Sequence, residues 1–244
     1  MMRLINLKRY GALIGITFVA AAASAEEKLI PPPWIVTGLE GIAVGVTWDE
    51  SAVRRVLPSR LQPAKEMTGG INIYRTSGGY GPGGAYSAAY LYVDLEGMDS
   101  SSGAKGRWML AGVYGPSPAV TNAWKTTFAL PIRSGGSRVK GDADHLRYIG
   151  FAGEQDLVAA EVKVDRAKCA AFGASLNYMS ISPETNQLMR LSPAVAGESC
   201  PAEVVEARIL APAGDAFAQF PIKKVLWAAQ FKADAALAPP VIAP

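Results

Sequence analysis

The chain has 244 residues, of which half are hydrophobic and 18% charged, and its formal net charge is +3. That balance excludes a largely disordered chain. No dense basic tract is present to displace counterions from a phosphate backbone, which excludes nucleic acid as a partner.

Residues 1–25 read as a secretory signal peptide. Arg3, Lys8 and Arg9 stand without an acid, Gly11 to Ala22 is an apolar or small-residue run, and Ala23-Ser24-Ala25 supplies the small side chains of a cleavage site. The run is short of the roughly 20 residues a membrane span needs. Cleavage after Ala25 leaves 219 residues and removes three cations, so 21 basic residues face 21 acidic ones in a neutral mature protein. The expected location is the periplasm or the medium, with no membrane contact after cleavage. Residues 26–244 are expected to form one domain, since all-β domains of this length are common.

In chain order, Ile30 to Trp34 is a stiff Pro-rich entry. Leu39 to Trp48 alternates as a half-buried strand does. Asp49 caps a short helix with Ala52, Val53, Val56 and Leu57 on one face, and Pro58 ends it. A strand follows at Ile71 to Arg75, then a Gly-rich loop over 77–84 that lacks the Lys-Ser/Thr of a phosphate-binding loop. Ala85 to Leu95 is a strand with Tyr86, Tyr90 and Tyr92 on one parity. Further strands are predicted at Trp108 to Tyr114, Trp124 to Leu130, Arg147 to Ala152, Asp156 to Val164 and Val204 to Leu210. Lys168 to Phe172 reads as a short helix or turn, and Ala233 to Pro244 as a small, Pro-rich end with poor order. The short strands and turn signals predict a mainly β protein, a barrel or sandwich.

Cys169 and Cys200 are the only cysteines. In an oxidising compartment the pair reads as one disulfide, with two separate buried thiols as the alternative. Two distant cysteines and one histidine cannot complete a tetrahedral metal set, so no metal and no cofactor is expected. His145, the sole histidine, sits in a polar turn with Asp142 and Asp144; it reads as solvated, or the two acids as a weak cation site. Lys223-Lys224 could lower each other's pKa and yield a nucleophile, but reads as a solvated pair at a strand end. Lys125, between Trp124 and Thr126, becomes a candidate amine if it is buried and an ordinary surface lysine if it points outward.

The run Pro32-Pro33-Trp34-Ile35-Val36-Thr37-Gly38, followed by a strand, Asp49, a helix and Leu57-Pro58-Ser59-Arg60-Leu61, resembles the amino-terminal part of the acetoacetate decarboxylase family. Gly84-Ala85-Tyr86 is similar to that family's Gly-x-Tyr-x-Glu strand, and Phe220-Pro221-Ile222-Lys223-Lys224-Val225 to its Leu-Pro-Val-Lys ending. The resemblance implies an antiparallel β-barrel or cone around an apolar cavity, with a Schiff-base lysine activated by desolvation and a neighbouring lysine. It also implies departures. Leu130-Pro131-Ile132-Arg133 best matches the family's Phe/Tyr-Pro-Lys-Lys, placing Ile132 at the nucleophile's position. Ala88 replaces the strand Glu, and the other polar cavity positions fall on Leu39 and Asn72.

The reading is therefore an exported domain of this type that binds a small carbonyl or carboxylate ligand without imine chemistry, with a homo-oligomer possible. Tyr74, Tyr86 and Asn122 would supply hydrogen bonds, Trp124 an apolar wall and Arg133 a carboxylate partner. Two alternatives stay open. One is a carbon-carbon lyase acting on a keto acid through Lys125; the other is a non-catalytic envelope interaction protein.

Overall fold

The computed structural model describes residues 30–81 and 84–243, so the expected signal segment lies outside the described residues. The fold is mainly β, as expected. In chain order it runs β1 (Trp34–Trp48), α1 (Glu50–Val56), β2 (Thr68–Arg75), β3 (Gly78–Tyr80), β4 (Ser87–Leu95), β5 (Gly106–Gly115), α2 (Pro118–Phe128), β6 (Ile132–Ser134) and β7 (Gly136–Gly141). The second half is β8 (His145–Ala152), β9 (Gln155–Val164), β10 (Ala170–Ser175), β11 (Tyr178–Ile181), β12 (Leu188–Leu191), β13 (Ala194–Ile209), β14 (Ile222–Leu237) and β15 (Val241–Ile242).

These strands form one large sheet, ordered β15-β12-β11-β5-β4-β2-β1-β14-β13-β9-β8-β7, with β3, β6 and β10 attached at its sides. Two features correct the expected antiparallel barrel. The pairs β5/β11 and β5/β6 are parallel, so the sheet is mixed. Its terminal strands β15 and β7 do not pair, so it is not closed by hydrogen bonds. It folds over instead, bringing β7 and β8 against β2, β4 and β5.

Alternation along the central strands divides the apolar residues between two clusters. Ile71, Ile73, Ala89, Leu91 and Val93 face one core, closed by the folded-over strands and by Ala52 and Val53 of α1. The intervening Tyr74, Ala88, Tyr90 and Tyr92 face a second cluster, closed by Trp124 and Phe128 of α2. Asp49 starts α1 as expected, accepting the Ala52 N–H at 3.1 Å. In the Gly-rich loop, β3 pairs with the start of β1. Gly79 is needed there: at its φ of +127° a Cβ would lie 2.0 Å from the Ile35 carbonyl oxygen.

Three local expectations are corrected. The segment from Trp124 is helical, because Ser117 caps a helix with Pro118 in its first turn. Val120, Ala123, Trp124 and Phe128 then fall at helical spacing and are all buried, which outweighs the β preference of Trp and Thr. Lys168 closes a 3-10 turn (Arg166–Lys168), after which 170–175 is strand. Among the described residues the small, Pro-rich end is held by pairing: β14 pairs with both β1 and β13 as far as Ala236, and β15 pairs with β12. Ala, with little side-chain entropy to lose, suits such a doubly paired strand.

Cys169 and Cys200 are bonded, with Cα atoms 4.0 Å apart and 31 residues of separation. The bond joins the turn before β10 to the middle of β13, against the first core. Replacing Cys200 with Ala should lower unfolding stability by about 2–4 kcal/mol, the range for a loop of this size. Urea denaturation of the variant under non-reducing conditions measures it, and an unchanged midpoint would show the bond to be dispensable.

Candidate functional site

The second cluster surrounds a cavity of about 270 Å³. Its floor is the tyrosine-bearing face of β2, β4 and β5. α2 contributes Trp124, β14 contributes Trp227 and Phe231, and Phe172 and Leu176 belong to the β10 side. Trp227 is 48% exposed and marks the rim. Its indole lies over Gly45, where a Cβ would approach Nε1 to 2.2 Å.

Six tyrosines line the space: Tyr74, Tyr86, Tyr90, Tyr92, Tyr114 and Tyr178. Their rings meet edge-on or stacked at about 6 Å between centroids, and the Tyr90 and Tyr178 hydroxyls are 2.7 Å apart. Burial pushes the Tyr74 phenol up to about 12, against the opposing pull of the Tyr114 and Tyr86 hydroxyls. Burial likewise holds Tyr86, Tyr90 and Tyr114 well above the ordinary phenol range, and the neighbouring tyrosines add to the effect. Tyr92 is raised by burial while the Arg107 guanidinium pulls the other way. At neutral pH the cavity therefore presents un-ionised phenols, which serve as hydrogen-bond donors and acceptors.

Arg107 is the only charged side chain lining the cavity among the described residues. Its guanidinium carbon lies 4.5 Å over the Tyr92 ring and 5.9 Å from that of Tyr178. Nε faces Asp94 Oδ1 at 3.6 Å, and Asp94 in turn accepts from the Thr68 hydroxyl at 2.8 Å. Neither Nε nor Oδ1 has a hydrogen bond, and both are sealed from solvent. The terminal amino groups are then the part of Arg107 offered to the cavity. Trp124 Nε1 is also sealed and without a partner, so the indole acts here as an apolar wall.

The expected site residues divide cleanly. Tyr74, Tyr86 and Trp124 line the cavity. Asn122 and Lys125 lie on the exposed side of α2. Arg133 is exposed and ion-paired with Asp215. Arg107, which sequence reasoning did not single out, lines the cavity where Arg133 was expected to. The only cue was its position at the head of an aromatic strand, and ordinary surface arginines share that cue. Of the four positions the resemblance marks as polar in the family, Leu39 and Asn72 line the cavity. Ala88 and Ile132 are buried in the apolar cluster around it.

Every lysine among the described residues is exposed. Lys223 and Lys224 stand at the start of β14, where Lys223 Nζ is 2.9 Å from Asp49 Oδ2. His145 is exposed at the start of β8, with Nε2 2.8 Å from Glu161 Oε1. The one metal-type cluster among the described residues is Cys169, Glu198 and Cys200, and the disulfide consumes two of its three ligands.

No family model and no curated protein matches the sequence. Solved structures match over almost the whole chain. Acetoacetate decarboxylase from Legionella pneumophila subsp. pneumophila str. Philadelphia 1 is 14% identical with a TM-score of 0.72, covering 98% of each chain. The enduracididine biosynthesis enzyme MppR, complexed with pyruvate, is 15% identical with a TM-score of 0.65, over 95% of this chain and 98% of that one. An acetoacetate decarboxylase-like enzyme from Sphingomonas wittichii RW1 is 12% identical with a TM-score of 0.65, over 96% and 100%. The chain therefore has the acetoacetate decarboxylase fold, as its two terminal motifs led us to expect. At these identities the likeness speaks for the fold alone.

Raised phenol pKa values make a test of the cavity. The unfolded chain ionises its tyrosines near pH 10, whereas burial raises five cavity phenols above that range, Tyr74 to about 12. Their contribution to stability is complete below about pH 10 and is lost as pH rises through the folded values. Absorbance titration should show these tyrosines ionising only with unfolding. Smooth ionisation of all tyrosines near pH 10 in folded protein would mean that the cavity is wet and open.

Proposed function

We propose that the protein is an exported binding domain that holds a small carboxylate or carbonyl ligand in its aromatic cavity without forming an imine. The observation that carries this is the placement of nitrogen. An imine needs an amine that is unprotonated near neutral pH, which takes desolvation or a nearby cation. No lysine among the described residues lines the cavity, and the one cation there is a guanidinium. Arg is protonated at every working pH and pairs with a carboxylate rather than attacking a carbonyl.

The walls agree with such a ligand. Aromatic and aliphatic side chains would take an apolar body, and phenol hydroxyls would take a carbonyl oxygen. The terminal amino groups of Arg107 would take a carboxylate in a medium of low dielectric, where a charge-assisted hydrogen bond is about twice as strong as a neutral one. MppR, with the same fold, is known in complex with pyruvate, itself a keto carboxylate. Export is supported by the basic, apolar and small-residue segments at the amino terminus and by the disulfide, which persists in oxidising compartments.

Two measurements test this. Incubation with acetoacetate or pyruvate followed by borohydride and peptide mass mapping should give no lysine adduct; an adduct at Lys125 or any other lysine would restore the lyase. A keto or aryl carboxylate at about 100 times its Kd should add about 2.7 kcal/mol of stability. For a domain of this size that is a rise in Tm of roughly 5–10 °C, and Arg107→Met should abolish the response.

A further inference from the structure

Arg107 accounts for one end of a ligand and leaves open what the cavity floor reads. Asn72 lies in the middle of β2, opposite Ala43 on one side and Tyr90 on the other. Ile71 and Ile73, on the opposite parity, belong to the other core, so Asn72 faces the cavity that it lines. It is 8% exposed. Its polar atoms are not among those sealed from solvent, and its amide makes no hydrogen bond to protein among the described residues. A buried amide left unpaired is costly. The open polar atoms are therefore available to whatever fills the cavity.

We infer that Asn72 is a specificity-determining residue that reads a neutral carbonyl or hydroxyl group of the same ligand whose carboxylate Arg107 holds. This deepens the carboxylate reading above and rests on it. The chemistry follows from the two side chains. An amide carries no charge at any working pH and both donates and accepts, so it matches a carbonyl or hydroxyl rather than a second carboxylate. A guanidinium only donates, and its charge selects the anion.

The spacing narrows the class. The guanidinium lies over Tyr92, and Asn72 is directly across from Tyr90. Tyr90 and Tyr92 are two residues apart on β4, roughly 7 Å along the strand, and β2 lies roughly 5 Å to the side of β4, which together set the two groups roughly 8–9 Å apart at the level of the sheet. A benzene ring carrying a carboxylate at one end and a carbonyl or hydroxyl at the opposite end spans about this distance. Its faces and edges would meet the tyrosine rings, which favour offset and edge-on neighbours. The ligand class that fits this separation is a para-oxo or para-hydroxy aromatic carboxylate.

Two probes of nearly equal shape isolate the Asn72 contact: 4-acetylbenzoate, with a ketone at the far end, and 4-isopropylbenzoate, with a hydrocarbon there. Calorimetric titration of the full mature chain should show the acetyl compound bound about five- to twentyfold more tightly. Asn72→Leu, close in volume, should erase that preference while leaving 4-isopropylbenzoate within about twofold of its original affinity. Arg107→Gln should weaken both probes alike, by tenfold or more. A ¹³C label at the ketone gives a readout that does not depend on affinity: its bound resonance should lie downfield in the original protein relative to Asn72→Leu, where the ketone loses its donor. If Asn72→Leu weakens both probes equally, or leaves the acetyl preference intact, the assignment to Asn72 falls and the carboxylate site stands. If neither probe binds the original protein while simple keto acids do, the aromatic class falls. If no carboxylate binds at all, the binding reading itself fails.

Discussion

The two-residue period of β2 and β4 is the constraint from which the rest of the structure follows. On β2, Ile71 and Ile73 enter one apolar core while Asn72 and Tyr74 enter the other face. On β4, Ala89, Leu91 and Val93 go one way and Tyr90 and Tyr92 the other. A strand buried on both faces normally reads as a continuous apolar run. Here one face carries aliphatic side chains buried in the first core. The other carries aromatic side chains too large and too stiff to fill their layer, and a cavity remains.

That cavity is electrostatically spare. Its phenols are kept un-ionised by their own burial, and the one positive charge lining it among the described residues faces Asp94 at 3.6 Å. A lone guanidinium in so apolar a place would be costly. The carboxylate behind it and the tyrosine faces beside it offset that cost. The contrast with imine chemistry is one of physical type. A buried lysine is tuned by desolvation to lose its proton, whereas a buried arginine keeps its own and can only hold an anion.

Much of this was legible in the sequence. The alternation of β1, the Asp49 cap, the common parity of Tyr86, Tyr90 and Tyr92, and the motifs at Pro32 to Gly38 and Phe220 to Val225 are local signals. They depend on backbone geometry within a few residues. The α2 segment was misread because Trp124, Thr126, Thr127 and Phe128 favour strands one by one, while the capping Ser117 and Pro118 that decide the matter lie just upstream. The pairing of residues 233–236 was invisible because its partners, β1 and β13, lie far away in the chain.

Sequence alone determined the β-rich class, the likeness at the two chain ends and the shortage of candidate nucleophiles, since composition and local periodicity are properties of the chain itself. Only the tertiary structure decided which polar groups meet. Arg107 and Arg133 are chemically the same residue, yet one enters a cavity beside Tyr92 and the other pairs with Asp215 at the surface. Lys125 and Trp124 are neighbours in the chain, yet a helical turn sends one to solvent and the other into the wall. Burial is a relation between distant segments, and the chemistry of a charged or amide side chain depends on it.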